Sequence, residues 1–386
     1  MMWLIVLAVL ITGSCQIPDP GITGRDADPG DEVLVIHSLA ETMTSIALHS
    51  DGSPGSVDHD VQYLGAAPND IIRLRERYLV TVSGENALLL LDAATTDTLG
   101  RIDLGAGTNP MAAAVVGEEI IAVTEFLSHA VSLQRTATSV PPQNAEVGRF
   151  AVGAAPQAIM TLPGTESDVT RIIVANTAFT LNSPSGFPFG AASLSVRSVR
   201  IDASGSAVRL VSEQEIPLEA DGFDAAIENG LNPTALLDMP PTGELLVVGS
   251  GENYGGSGTG DDDGVLLVLD RMSLEIRRRI SVGGSPGAGV VVERTGGYDL
   301  YLAGVEGMRR VHRGTVWDEE SSFVYRATGD PLPFISDIVA AGDFLYASDF
   351  SGSRILVFRL AATGGVTLEC EIPVSHGPIA LLADRS

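Results

Sequence analysis

The chain contains no lysine, so all 23 of its basic residues are arginine. That absence removes Schiff-base chemistry, the lysine of a phosphate-binding loop and the lysine pairing of kinases. Positive charge is scarce altogether: 49 acidic residues leave a formal net charge of −26. Such a surface repels nucleic acid, whose binding depends on positive charge meeting phosphate. It favours solubility and an affinity for cations or cationic partners. Cysteine is nearly missing, with only Cys15 and Cys370. Two cysteines exclude cysteine-rich metal sites and covalently held haem. The apolar run Met2 to Ile11 is too short to span a bilayer.

Helix signals are weak, while 43 glycines and 21 prolines favour strands and turns. Pro68, Pro110, Pro156, Pro233, Pro286, Pro333 and Pro378 each come shortly after a glycine and divide the chain into repeats. Glycine supplies unusual backbone angles, and proline fixes φ and donates no hydrogen bond, so each pair marks a turn entering a strand. The spacing is mostly that of propeller blades, about 40 to 50 residues of four strands each. The residues just after the prolines are mostly small, as in Met111-Ala-Ala-Ala114, Gln157-Ala158 and Ile379-Ala380. Innermost strands crowd near the axis of a radial array and need small side chains. Pro333 departs, with Phe334 and Ile335 behind it.

Each repeat continues with a second apolar run, such as Tyr78 to Val82, Glu119 to Val123 and Glu244 to Val248, and then a third, such as Ala87 to Leu91 and Val265 to Leu269. These runs are short, rich in β-formers and bounded by Gly, Asn, Asp and Ser, which predicts strands. A fourth, charged strand, such as Glu275 to Ile280, suits an exposed outer edge. Pro378 to Leu382 is an inner strand with nothing after it, whereas Glu32 to Ile36, Met43 to Leu48 and His59 to Leu64 lack a first strand. One blade therefore combines both ends of the chain. The expected fold is all-β: a seven-bladed propeller of four-stranded blades over residues 32–386, closed by that mixed blade.

The stretch Tyr78 to Val82, Asn86, Leu91-Asp92, Thr95, Ile102, Gly105 and Pro110 resembles the YVTN-type β-propeller repeat, as does Val268 to Asp270 through Ile280, Gly283 and Pro286. No repeat spells the motif itself. The resemblance implies a seven-bladed propeller, commonly exported, with no shared catalytic residues to transfer. Related propellers include lactonases.

Residues 1–14 read as a lipoprotein-type signal peptide, because the apolar run ends in Thr12-Gly13-Ser14 before Cys15. Cys15 is then the lipidated first residue, and 15–31, rich in Pro, Gly and Asp, is a flexible tether. The expected place is the bacterial cell envelope, at the outer membrane or cell surface. A lipidated monomer has no internal disulfide, which leaves Cys370 as a packed or semi-exposed thiol.

Several motifs fail on inspection. Gly283-Gly-Ser-Pro-Gly287 fits the nucleophile-elbow pattern, but the elbow needs a backbone N–H where Pro286 has none. Gly256 to Gly260 leads into a strand, where no helix N-terminus can meet a phosphate. Asp261-Asp262-Asp263 on a Gly-rich turn is the candidate calcium site, and no other cofactor is expected. His37 and His376 should lie at the same end of neighbouring strands with Asp349 nearby, a set able to hold a transition metal or act as base and orienter. His49, His59, His129 and His312 show no partners in the sequence.

In four-stranded blades, the turns between strands two and three share a rim with the turns entering the next blade. That rim collects Asn69, Asp70, Glu85, Asn86, Asn109, Glu125, Asn176, Glu252, Asn253, Tyr254, Glu306 and Asp349. Loops on a rigid scaffold are where binding residues concentrate. Two functions stay open: a non-catalytic, membrane-tethered module that binds a protein or glycan, and an extracytoplasmic lactonase-type hydrolase with carboxylates and a divalent ion.

Overall fold

In the computed structural model, residues 31–136, 145–179, 191–202, 207–218, 231–251, 264–305, 307–326 and 333–385 are described. They form seven sheets of four antiparallel strands. Blade 1 is β4 to β7 (Pro68–Leu74, Arg77–Val82, Ala87–Asp92, Thr98–Asp103). Blade 2 is β8 to β11 (Pro110–Gly117, Ile120–Glu125, Ala130–Arg135, Glu146–Ala151), and blade 3 is β12 to β15 (Pro156–Pro163, Val169–Asn176, Ser193–Ile201, Val208–Pro217). Blade 4 is β16 to β19 (Pro233–Met239, Glu244–Gly249, Val265–Asp270, Ile276–Ser281), and blade 5 is β20 to β23 (Pro286–Arg294, Gly297–Gly304, Gly307–Arg313, Ser322–Arg326). Blade 6 is β24 to β27 (Ile335–Ala341, Phe344–Asp349, Arg354–Leu360, Val366–Pro373). Blade 7 orders β28 (Pro378–Asp384), β1 (Glu32–His37), β2 (Thr42–Leu48) and β3 (Pro54–Tyr63), so the last strand of the chain pairs antiparallel with the first.

The innermost strands β4, β8, β12, β16, β20, β24 and β28 contact one another in sequence and close a ring. Because side chains alternate across a strand, each second strand feeds two seams. Tyr78, Val80 and Val82 of β5 pack toward blade 7 beside Leu34, Ile36 and Met43, while Leu79 packs toward blade 2 with Ile121 and Val123. The same division holds all round, and each of the seven seams has its own apolar cluster. Sheets covered on both faces explain the unbroken apolar runs of the second and third strands.

Register corrects one detail of the repeat. Six prolines, Pro68, Pro110, Pro156, Pro233, Pro286 and Pro378, pair with the last residue of their second strand, but in blade 6 that place belongs to Ile335, opposite Asp349. Pro333 lies two residues earlier and is not the equivalent marker. Cys370, in β27, is buried and disulfide-bonded, so the expected thiol is not free. Its partner lies outside the described residues.

Candidate functional site

The turns between second and third strands and the connections entering the next blade leave one rim of the ring. The longest connections, 177–192, 218–232 and 250–264, all belong to it. Exposed apolar side chains stand on both rims, Met272 and Val316 on the opposite one and Leu39 and Leu127 on this one. Leu39 is 66 % exposed and Leu127 47 % exposed. Phe126 and Phe179 lie 5.7 Å apart between centroids, and Phe334 and Phe350 meet edge to face at 6.2 Å.

Three of the polar residues expected to face a ligand from this rim, Glu125, Asn176 and Asp349, are buried. Glu125, Asn176, Asp349 and His37 occupy the same register place, the end of the second strand, in blades 2, 3, 6 and 7, and all are buried. Asp349 accepts from Arg354 Nε at 2.8 Å and from the Gly352 N–H at 2.9 Å. Glu125 Oε2 is bound by Arg149 and by Ser128 Oγ at 2.6 Å, while its Oε1 has no partner. Asn176 Nδ2 donates to Ser195 Oγ at 2.9 Å. Asn86, with φ of 52°, accepts from the Asn109 N–H at 3.0 Å and so ties its turn to the connection entering blade 2. Glu85 accepts the Ala66 N–H at 2.8 Å and pairs with Arg101; the backbone donor, then the arginine, holds its carboxyl below the ordinary range. Glu252, Asn253, Tyr254, Glu306, Asp261, Asp262, Asp263 and Cys15 lie outside the described residues.

The histidine set does not assemble around a common point. His37 shares a 2.9 Å hydrogen bond with Thr44 Oγ1, and burial pushes it down to about 4, so it is neutral. His376 is 3.0 Å from Ser353 Oγ. Asp349 is committed to Arg354, and among the described residues no group of three His, Cys, Asp or Glu is placed to hold a metal. Two other histidines have partners that spacing alone concealed: His312 Nδ1 lies 2.8 Å from Asp299, and His129 Nδ1 accepts the Ala155 N–H at 2.9 Å.

The inner ring holds two residues whose setting the sequence pattern concealed. Two positions beyond each inner-strand proline, or beyond Ile335, stand Asp70, Ala112, Ala158, Ala235, Ala288, Asp337 and Ala380. Only Asp70 and Asp337 carry charge, and both keep partial exposure at the channel wall. Asp70 Oδ2 accepts the Ala113 N–H of the next blade at 3.0 Å. Asp337 Oδ2 accepts the Leu381 N–H at 2.7 Å, and its Oδ1 the Ile338 N–H at 2.8 Å. The preceding residues add a second bridge, from Asn69 Nδ2 to the Pro110 carbonyl at 3.4 Å and from Ser336 Oγ to the Pro378 carbonyl at 2.7 Å. Desolvation raises Asp70 to about 6 and Asp337 to about 7, with the charge of Asp70 adding to the second shift. The repeated pattern Asn69-Asp70-Ile71 and Ser336-Asp337-Ile338 is a visible signal, hidden when Pro333 is taken as the register mark.

No protein-family model and no curated protein matches the chain. Solved structures do. A protein of Bacteroides uniformis provisionally assigned as a 6-phosphogluconolactonase aligns at 13 % identity and a TM-score of 0.60, over 91 % of this chain and 99 % of that one. One of Bacteroides fragilis with the same provisional assignment aligns at 12 % identity and 0.60, over 93 % and 99 %. Apo AztD of Citrobacter koseri aligns at 14 % identity and 0.51, over 92 % and 98 %. At such identities the likeness establishes the propeller fold alone.

Proposed function

We propose that this chain is an extracytoplasmic, non-catalytic binding propeller of YVTN type that engages a protein or glycan through the rim bearing its long connections. The observation that carries the reading is that the longest connections, 177–192, 218–232 and 250–264, all fall on one rim. Loops on a rigid scaffold are where binding residues concentrate. The test is capture from envelope extract. Leu39→Glu combined with Leu127→Glu should reduce capture at least tenfold while stability changes by only about 0.5 kcal/mol, as is usual for surface sites. Val316→Glu, a 68 % exposed residue in a hairpin of the opposite rim, is the control. Loss of capture with Val316→Glu and none with the double variant would reverse the rim assignment.

The tether rests on Cys15. Cys370 is disulfide-bonded in this structure and Cys15 is the only other cysteine, so a Cys15 sulfur held in a lipid thioether requires a form of the chain without that bridge. The mature chain is expected to carry acyl mass on Cys15, and Cys15→Ser to lose it and become soluble or stay uncleaved. A native chain without acyl mass, with both sulfurs in one reducible bridge, would overturn the anchor.

One observation favours a second reading. Two carboxyl groups titrating near neutrality in a channel are suited to acid–base work, as a lactonase-type hydrolase requires. Lactone turnover that disappears in Asp337→Ala would establish that reading over the first.

A further inference from the structure

We propose that Asp70 and Asp337 are proton-dependent stitches in the inner ring, placed on either side of the closing blade, whose charge state sets how firmly the ring is shut. The outer edge of each inner strand pairs with its own blade, which leaves the edge N–H groups on the channel side in need of partners. At the joints between blades 1 and 2 and between blades 6 and 7, a carboxylate oxygen takes one such N–H, of Ala113 and of Leu381. At the other five joints the equivalent residue is alanine and makes no such bond. Blade 7, the sheet in which β28 and β1 join the two ends of the chain, and blade 1 stand between the two stitches, the Asp337 bond reaching blade 7 itself and the Asp70 bond joining blade 1 to blade 2.

Both carboxylates therefore serve joints, yet both are desolvated, and Asp337 feels the charge of Asp70. Among the described residues no further charge relieves them. The inner strands β8, β12, β16, β20 and β28 carry alanine at this level, the second strands β5 and β25 place Thr81 and Ser348 opposite the two aspartates, and the influences are burial and backbone N–H groups on both carboxyls, with the charge of Asp70 added on Asp337. Ionisation leaves all the carboxylate oxygens able to accept, at the cost of buried, mutually repelling charge. A proton removes that repulsion but turns one oxygen into a donor facing an N–H.

Linkage gives the sign. Each carboxyl binds its proton more tightly in the folded than in the unfolded protein, so between their ordinary range and neutrality the folded state holds more protons, and stability falls as pH rises. His37 acts oppositely, since its folded value is low and its effect is lost on acidification. It is common to the wild type and the variants below, and cancels in their difference. The stitches would act alike in a binding module and in a hydrolase.

The test compares wild-type protein with Asp70→Ala, Asp337→Ala and the double variant, alanine being the residue at the other five joints. Melting temperatures are recorded from pH 5 to pH 8, and the two aspartate carboxyls are followed by NMR. From pH 5 to pH 8 the wild type should lose melting temperature relative to the double variant. Asp337 should titrate near neutrality in the wild type and at lower pH in Asp70→Ala. A difference in melting temperature that stays constant with pH would overturn the proposal, as would an Asp337 midpoint indifferent to Asp70. Should the double variant fail to fold, the single variants supply both readouts.

Discussion

Deleting residues 376–386 is expected to open the ring and abolish the cooperative melt. β28 is the inner strand of blade 7, paired with β1 from Glu32↔Asp384 to His37↔Pro378. Its Leu381 belongs to the apolar seam with blade 6 and its Ala380 to the seam with blade 1. Its Leu381 N–H meets Asp337, and its Asp384 pairs with Arg73. Removing it exposes both seams at once and leaves the edge of β1 unpaired, an invitation to aggregation. No local repair is available, because the strand's partners come from both ends of the chain and a propeller blade cannot bury its faces alone. Calorimetry and limited proteolysis read the result. A truncated protein that keeps the wild-type transition and protease resistance would refute closure by β28.

Tyr78→Ala should cost about 3–5 kcal/mol, the range for removing a large buried ring. Tyr78 is fully buried in the seam between blades 7 and 1. Its hydroxyl donates to Asp384 Oδ2 at 2.5 Å or to Glu32 Oε1 at 2.8 Å, so it joins the last strand to the first. Burial, then those carboxylates, raises the phenol above its ordinary value, and it stays a donor. Tyr78→Phe separates the two contributions: it keeps the ring and removes the O–H, at about 1–3 kcal/mol for buried acceptors that lose a donor. Denaturant unfolding measures both. If Tyr78→Phe is as stable as wild type, the hydroxyl does not secure the closure and only the ring's packing does. If Tyr78→Ala is also neutral, the seam is not a stabilising contact.

The architecture was legible because a repeat states the same physics several times. Glycine–proline turns, small residues behind them and apolar runs bounded by turn formers are local features, and their recurrence implied blades without any knowledge of contacts. Closure was legible too, since Pro378 to Leu382 lacked companions at its own end of the chain and Glu32 to Ile36 lacked them at the other. The rim was legible at the level of topology, as the antiparallel order dictates which turns share an end. Side-chain direction was not. Glu125, Asn176 and Asp349 read as surface polar residues in turns, yet a residue at the end of a second strand lies between two blades, and each is consumed by partners of its own blade. Charge and hydrogen-bonding capacity are written in the sequence, but whether they face a ligand depends on the twist and packing of neighbouring sheets. The Asp70 and Asp337 pair shows the same division. Each aspartate stands plainly in its strand, and only the closing of the ring sets them two blades apart at one level, where burial raises both carboxyl groups and the charge of Asp70 raises Asp337 further.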